Sequence, residues 1–357
     1  MSHVFISPHP DDAALSCGGL IASLRELGQN VTIITVFSGG PGADTEMTEY
    51  QRAALGFGSK AVWPNTESFD RSALEPDYPV VRTAGPDAPW LADAERIAVT
   101  QERANTQARQ FWQRAAWTRS ANITNEETPA RPIADGVGGQ GTLATTDFGA
   151  ADATAIRKAE DERYAWFMEC SVIDLDLPDA VYRGYEGDGE LLGGARDDDH
   201  APVEILRREI LRLEPQMVYF PLGVGGHVDH QLCREVGIAL LGEGRRWVMP
   251  GPDLAGRVSF YEDFPYAWWN DFTGLGDLPS EVIGLPEGLR LEARYAEIAE
   301  QMDRKAAGIR VYGSQIVRLF EGDQGMLDDL AGYAARVAAA GAVGTGAAER
   351  YWSVVRG

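Results

Sequence analysis

The 357-residue sequence predicts an α/β fold, a mostly parallel sheet flanked by helices, with a long insertion after the second strand. Three observations carry this. A strand, a helix and a second strand follow one another between Val4 and Phe37, the same alternation returns beyond residue 200, and the strand candidates are near-continuous apolar runs rather than alternating ones. Runs of that kind mark strands buried on both faces. Val4 to Ser7 is the first, ended by Pro8-His9-Pro10. Asp11-Asp12 then opens Ala13 to Leu27, where Leu15, Leu20, Ile21 and Leu24 share one helical face and Gly28 closes the segment. Val31 to Phe37 is β-branched almost throughout and completes a βαβ unit, for which a right-handed crossover is expected. Later, Pro202 to Leu213 reads as a helix, Met217 to Phe220 as a strand, Asp229 to Leu241 as a helix and Val258 to Tyr261 as a strand. Glu287 to Arg318 is expected to be helical, and Gly325 to Gly346 to form an Ala-rich terminal helix.

The stretch from Pro41 to Ala155 departs from this rhythm. It is rich in Pro, Gly, Asp and Thr, with one helix predicted over Ala94 to Ser120. We read it as an irregular insertion within a single domain spanning 1–357, because long structureless loops in compact domains are usually functional. Its Trp63, Trp90, Trp112 and Trp117 either form a small core of their own or line a substrate cleft. Fifty-four Asp and Glu against 32 Lys and Arg give a net charge of −22. Such a surface repels phosphate backbones and anionic lipid, which disfavours nucleic-acid and membrane-surface roles. No apolar run approaches the roughly 20 residues of a membrane span, and the first residues show no basic, apolar leader pattern. Cys17, Cys170 and Cys233 are scattered, without C-x-x-C spacing, so a reduced, cytoplasmic protein is expected.

Three of the five histidines lie in strand-to-helix turns. Pro8-His9-Pro10-Asp11-Asp12 follows the first strand, and Gly225-Gly226-His227-Val228-Asp229-His230 follows the strand at Met217. Each turn pairs His with His or Asp at a spacing of three, and both lie at carboxyl ends of strands, where open parallel sheets bind ligands. Two readings stand at this point. Asp12 and Asp229 are ordinary helix caps, or two imidazoles and a carboxylate meet with one coordination position open, the usual set of a catalytic zinc.

Ser7-Pro8-His9-Pro10-Asp11-Asp12-Ala13-Ala14-Leu15-Ser16-Cys17-Gly18-Gly19 resembles the signature of the PIG-L/LmbE-like zinc de-N-acetylases, and His227-Val228-Asp229-His230 resembles that family's second motif. Arg157-x-x-Glu160, the segment Leu175 to Gly184 and Tyr261-Glu262-Asp263-Phe264-Pro265-Tyr266 are weaker likenesses. The resemblance covers about 1–40 and 156–320, outside the insertion. It implies a Rossmann-like sheet and a zinc-dependent hydrolase that removes an acetyl group from an N-acetylated amino sugar or glycoconjugate. It further implies His9, Asp12 and His230 as zinc ligands, Asp11 as general base, and His227 with Asp229 beside it as general acid or oxyanion donor. Arg157 and Asp179 are implied as substrate contacts. In that scheme His227 is protonated, with the Asp229 carboxylate raising its pKa.

Ala13 stands where many members carry Glu, and Gly225 where some carry an aromatic residue. Other divalent metals fit a His2Asp set as well as zinc does. The alternatives are a larger amide, such as a thiol conjugate, cleaved by the same site, and a non-catalytic metal- or nucleotide-binding protein. Gly136-Val137-Gly138-Gly139-Gln140-Gly141 lacks the strand and helix that a dinucleotide site requires and reads as a loop. Asp197-Asp198-Asp199-His200 reads as a solvated acidic loop capping the next helix, His3 as structural or exposed, and Cys17 as a packed thiol.

Overall fold

The structure, a computed structural model, describes residues 1–40, 46–55, 150–199, 202–242, 256–272, 283–320 and 322–357. The helix expected at Ala94 to Ser120, the four insertion tryptophans, the glycine loop at 136–141 and His200 lie outside them. Seven strands form one sheet: β1 (Ser2–Ser7), β2 (Asn30–Thr35), β3 (Ser171–Asp174), β4 (Met217–Pro221), β5 (Val258–Tyr261), β6 (Leu289–Glu297) and β7 (Ala348–Arg356). Their order is β3-β2-β1-β4-β5-β7-β6. The first five named strands pair in parallel, and β7 adds to β5 and to β6 antiparallel. The helices are α1 (Asp12–Glu26), α2 (Glu49–Ala54), α3 (Ala150–Met168), α4 (Val203–Leu213), α5 (Val228–Gly242), α6 (Met302–Arg310), α7 (Gly313–Leu319) and α8 (Gly322–Ala340).

Residues of a strand point alternately to opposite faces, and here both faces are apolar. Val4, Ile6, Val218, Phe220, Val258 and Phe260 enter one core with Leu206 of α4, Leu232 and Val236 of α5 and Leu330 of α8. Phe5, Val31, Ile33, Tyr219 and Tyr261 enter the other with Cys17 and Ile21 of α1 and Tyr164 and Met168 of α3. This double burial is why the strands read as unbroken hydrophobic runs. Cys17 is a packed thiol, and His3 is buried with its ring stacked on Tyr219 at 6.0 Å.

One expectation fails. The helix expected over Glu287 to Arg318 begins instead as β6, and a 3-10 turn (Ala299–Gln301), α6 and α7 follow it. Leu, Glu, Ala and Arg favour helices individually, but Leu289, Leu291, Ala293 and Tyr295 recur at period two and pack on the core. Nine paired residues on β7 then override local propensity.

Below the carboxyl ends of β2 and β3 lies a buried acid pair. Asp161 of α3 accepts hydrogen bonds from Thr35 Oγ1 (2.5 Å) and Tyr312 OH (2.6 Å). Burial, and then the neighbouring Asp174, push its pKa up to about 8. A carboxyl that holds its proton more tightly when folded stabilises the fold fully below its unfolded value near 4, and that contribution disappears as pH rises through about 8. Asp161→Asn is therefore expected to flatten the decline in unfolding free energy between those two pH values. Urea titrations of both chains across that range check this, and parallel curves would refute it.

Candidate metal and active site

β1 and β4 are neighbours, with β2 and β3 on one side and β5 on the other, so the strand order reverses between them. The loops leaving their carboxyl ends therefore diverge and open a crevice, the ligand position in such sheets. The first loop is pinned by Ser7, whose hydroxyl donates to the His9 carbonyl (2.7 Å) and accepts the Ala13 N–H (3.1 Å). Asp12 Oδ2 accepts the His9 backbone N–H (2.8 Å) and lies 3.2 Å from His9 Nδ1. Asp11, rather than Asp12, occupies the N-cap of α1. It makes no side-chain capping bond and sits at φ 115°. Such a backbone costs a non-glycine residue about 1–3 kcal/mol and concentrates at functional sites.

The second loop turns through Gly223, Gly225 and Gly226, all at positive φ. A Cβ on Gly225 would stand 2.6 Å from the ring of Tyr266, so this chain fills with Tyr266 the space next to its backbone where some relatives carry an aromatic side chain. His230, on α5, is fixed from behind. Its Nδ1 bonds Asp263 Oδ1 at 2.7 Å, while Asp263 Oδ2 accepts the Gly223 and Val224 N–H groups at 2.7 and 2.8 Å. That bond leaves Nε2 as the lone-pair nitrogen. His230 Nε2 is buried without a hydrogen-bond partner, 3.3 Å from Asp12 Oδ2.

His9 Nδ1 and His230 Nε2 thus converge on one carboxylate oxygen of Asp12. A buried imidazole nitrogen with no partner is costly unless something occupies its lone pair, and two imidazoles plus a carboxylate are the donor set of a three-ligand zinc site. The residues therefore fit a divalent cation. His9, His227 and His230 also offer nitrogens within 4.8 Å of one another, as do ligand atoms of His9, Asp179 and Asp229. Both converging histidines are backed by a carboxylate: Asp263 behind His230, and Asp229 Oδ2 at 2.9 Å from His9 Nε2. This arrangement sets tautomer and ring orientation in metal-binding histidines.

Asp229 does not serve His227. Its Oδ2 accepts His9 Nε2 and the Ala180 N–H (3.0 Å), and its Oδ1 accepts Arg183 Nη2 (2.6 Å). His227 Nδ1 instead accepts the Asp229 backbone N–H at 3.2 Å. Burial first, then His9 and His230, hold the His227 pKa well below its ordinary value. These surroundings favour a neutral ring with its proton on Nε2. The remaining carboxylates divide. Burial works to raise Asp12, but His230 and then His9 hold it well below the usual range. Asp11 is pushed up to about 7 by burial and by Asp12, against the pull of Arg157 and His9. His9 itself stands at about 9, its burial outweighed by Asp179, Asp12 and Asp229.

Arg157, from α3, reaches over the same crevice. Its Nη2 donates to the Pro10 carbonyl (3.2 Å) and lies 3.8 Å from Asp11 Oδ1, and its Nη1 lies 3.5 Å from Asp179 Oδ2. Asp179 Oδ1 also caps the short 3-10 turn Ala180–Tyr182 by accepting the Val181 N–H. Both residues line one cavity with His9, Asp11, Asp12, His227 and His230, so the sequence-predicted residues meet, Asp229 standing just behind His9.

Residues 4–61 match the PIG-L family, described as GlcNAc-PI de-N-acetylase. The match is confined to this segment of the chain. It carries the first of the two motifs, His9, Asp11 and Asp12 included. The 2'-N-acetylparomamine deacetylase of Streptomyces fradiae is 32% identical over 162 residues, 44% of this chain and 53% of the relative. The match thus spans about half the length of that relative. The crystal structure of the zinc-inhibited form of a teicoplanin deacetylase is similar at TM-score 0.53 and 22% identity, covering 100% of this chain and 99% of that one. An antimicrobial pseudoaglycone deacetylase is similar at TM-score 0.53 and 21% identity, covering 99% and 97%. At these identities the likeness establishes the fold alone, a mostly parallel sheet flanked by helices. Among the described residues no helix is long and apolar enough to cross a membrane.

Asp263 is the residue that sequence reasoning missed. It was noted only within a weakly similar segment, yet it holds His230 and two backbone amides of the second loop. The available signal was an acidic pair, Glu262-Asp263, placed directly after a largely apolar strand, where a charge demands a partner. The acidic triplet needs a correction too. Asp199 does not cap α4, whose N-cap is Pro202; it takes the fork of Arg183.

Proposed function

We propose that this chain is a divalent-metal-dependent deacetylase that hydrolyses the acetamide of an N-acetylated amino sugar or glycoconjugate. The observation that carries this is the convergence of His9 Nδ1 and His230 Nε2 on Asp12 Oδ2, with Asp11 and His227 lining the same cavity. His9, Asp12 and His230 would hold the cation, for which Zn2+ is the natural occupant of such a mixed nitrogen and oxygen set. When bound, it supplies Lewis acidity and makes water acidic enough to lose a proton near neutral pH.

The chain's own groups do the rest. Asp11, which lines the cavity and makes no capping bond, accepts the proton of the attacking water. Arg157 beside it orients the carboxylate and, with Asp179, contacts the sugar. His227 donates Nε2–H to the carbonyl oxygen as negative charge develops there. A nearby cation only strengthens the preference of this ring for the neutral form, so hydrogen-bond donation rather than an imidazolium fits its surroundings. Asp11, now protonated, is the group placed to return the proton to the departing nitrogen. Ala54 of α2, within the stretch 41–155 read from the sequence as an insertion, lines the cavity. The relative that acts on an acetylated aminoglycoside supports an amino-sugar substrate, and a cytoplasmic, reduced setting fits three buried free thiols.

The test is acetate release by the purified full chain from N-acetylglucosamine compounds, acetylated aminoglycosides and acetylated glycopeptide sugars, with elemental analysis of the same preparation. Release from at least one class, lost on chelation and restored by Zn2+, is the expected outcome. A metal-loaded chain that releases no acetate from any class would overturn the proposal.

A further inference from the structure

Arg183 lies outside the cavity, yet it sits at the centre of the polar network behind it. Its Nη2 donates to Asp229 Oδ1 at 2.6 Å and to Asp199 Oδ2 at 2.9 Å, and its Nε lies 3.1 Å from Asp199 Oδ1. Nη1 donates to the Pro178 carbonyl at 2.7 Å, and the guanidinium carbon lies 4.7 Å from the centre of the Phe37 ring. Asp199 is steadied in turn by the Tyr185 hydroxyl at 2.9 Å. Beyond Arg183, Asp229 Oδ2 meets His9 Nε2 at 2.9 Å. Asp199, Arg183, Asp229 and His9 therefore form one continuous chain of charge-assisted contacts that ends on an imidazole at the site.

We infer that Arg183 is a positioning residue for His9, holding the Asp229 carboxylate aimed so that His9 presents Nδ1 to the cation. Three features of the network require an arginine. Asp229 is completely buried, and a buried carboxylate without its counter-charge is strongly destabilised. A planar fork can serve Asp199 and Asp229 together while a third nitrogen anchors the loop at Pro178, which a lysine's single ammonium cannot reproduce. The same plane stacks over Phe37, which fixes its tilt. The sequence puts Arg183 directly after the 3-10 turn whose Ala180 N–H also binds Asp229, so turn and guanidinium grip the carboxylate from two sides.

The inference rests on the proposed metal site, and its test separates the two. Zinc affinity is measured by competition with a chelator for the unmodified chain, R183M, R183K, D229N, R183M/D229N and Y185F. Loss of an outer contact to a metal-binding histidine weakens binding by about 10–100-fold, and R183M is expected at the lower end of that range. R183K is expected to fall between R183M and the unmodified chain. Y185F, which keeps both bonds from Arg183 to the carboxylates, is expected to bind as the unmodified chain does. If Arg183 acts through Asp229, the double variant binds no more weakly than D229N alone. Additive losses would assign Arg183 a general structural role and overturn the inference, as would unchanged affinity in R183M. Should R183M not fold, R183K and R183K/D229N are judged by the same comparison. An unmodified chain that takes up no zinc would instead sink the metal site itself.

Discussion

Replacing Asp11 by Asn is expected to leave the bound metal in place and to lower kcat by about 10²–10⁴-fold, the range lost with a general acid–base group. Two observations converge on this side chain. It lines the cavity beside His9, Asp12 and His230, and it is held at φ 115° without capping the helix. A capping Asp would spend its oxygens on backbone amides. Asparagine keeps size and polarity but cannot accept the proton. Steady-state acetate release with elemental analysis of the same sample decides the matter. Full activity in Asp11→Asn would remove this residue from the chemistry, and loss of metal would make it a ligand.

The second large effect is expected at His230. His230→Ala removes one of the three proposed protein ligands and should abolish both stoichiometric zinc and acetate release. Asp263→Asn should show a graded version, zinc affinity weakened by about 10–100-fold, because the amide no longer fixes the Nδ1 proton with a charged acceptor. The two variants together distinguish a ligand from its support. A His230→Ala chain with one tightly bound zinc would refute the assignment, and an unperturbed Asp263→Asn would leave His230 orienting itself.

Much of this was legible beforehand for a physical reason. β1, β2, β4 and β5 are buried on both faces, which stamps them on the sequence as apolar runs, and a strand-to-helix turn in such a sheet faces the ligand crevice wherever it occurs. His9, Asp11, Asp12, His227 and His230 sit in those turns. What could not be read lay in pairings of high sequence separation. β6 is written in helix-favouring residues and becomes a strand only because β7 lies beside it. Asp229 follows His227 by two residues, yet its carboxylate turns to His9 and Arg183. Asp263, noted only within a weakly similar segment, gains its role because β5 pairs with β4 and carries it to the second loop.

The contact between His9 and Asp229 spans 220 residues. On the ribosome, the first motif and its βαβ unit emerge long before β4 exists, so a nascent chain carries one half of the site with its histidine uncoupled from any counter-charge. Joining the halves closes a very long loop, and closure entropy grows only with the logarithm of length, about 0.6 kcal/mol for each doubling. The large insertion therefore adds little to the equilibrium cost of assembly. Its burden falls on the search time, since distant pairings form slowly, and the pairing of β1 with β4 becomes the step at which the two halves of the cavity first meet.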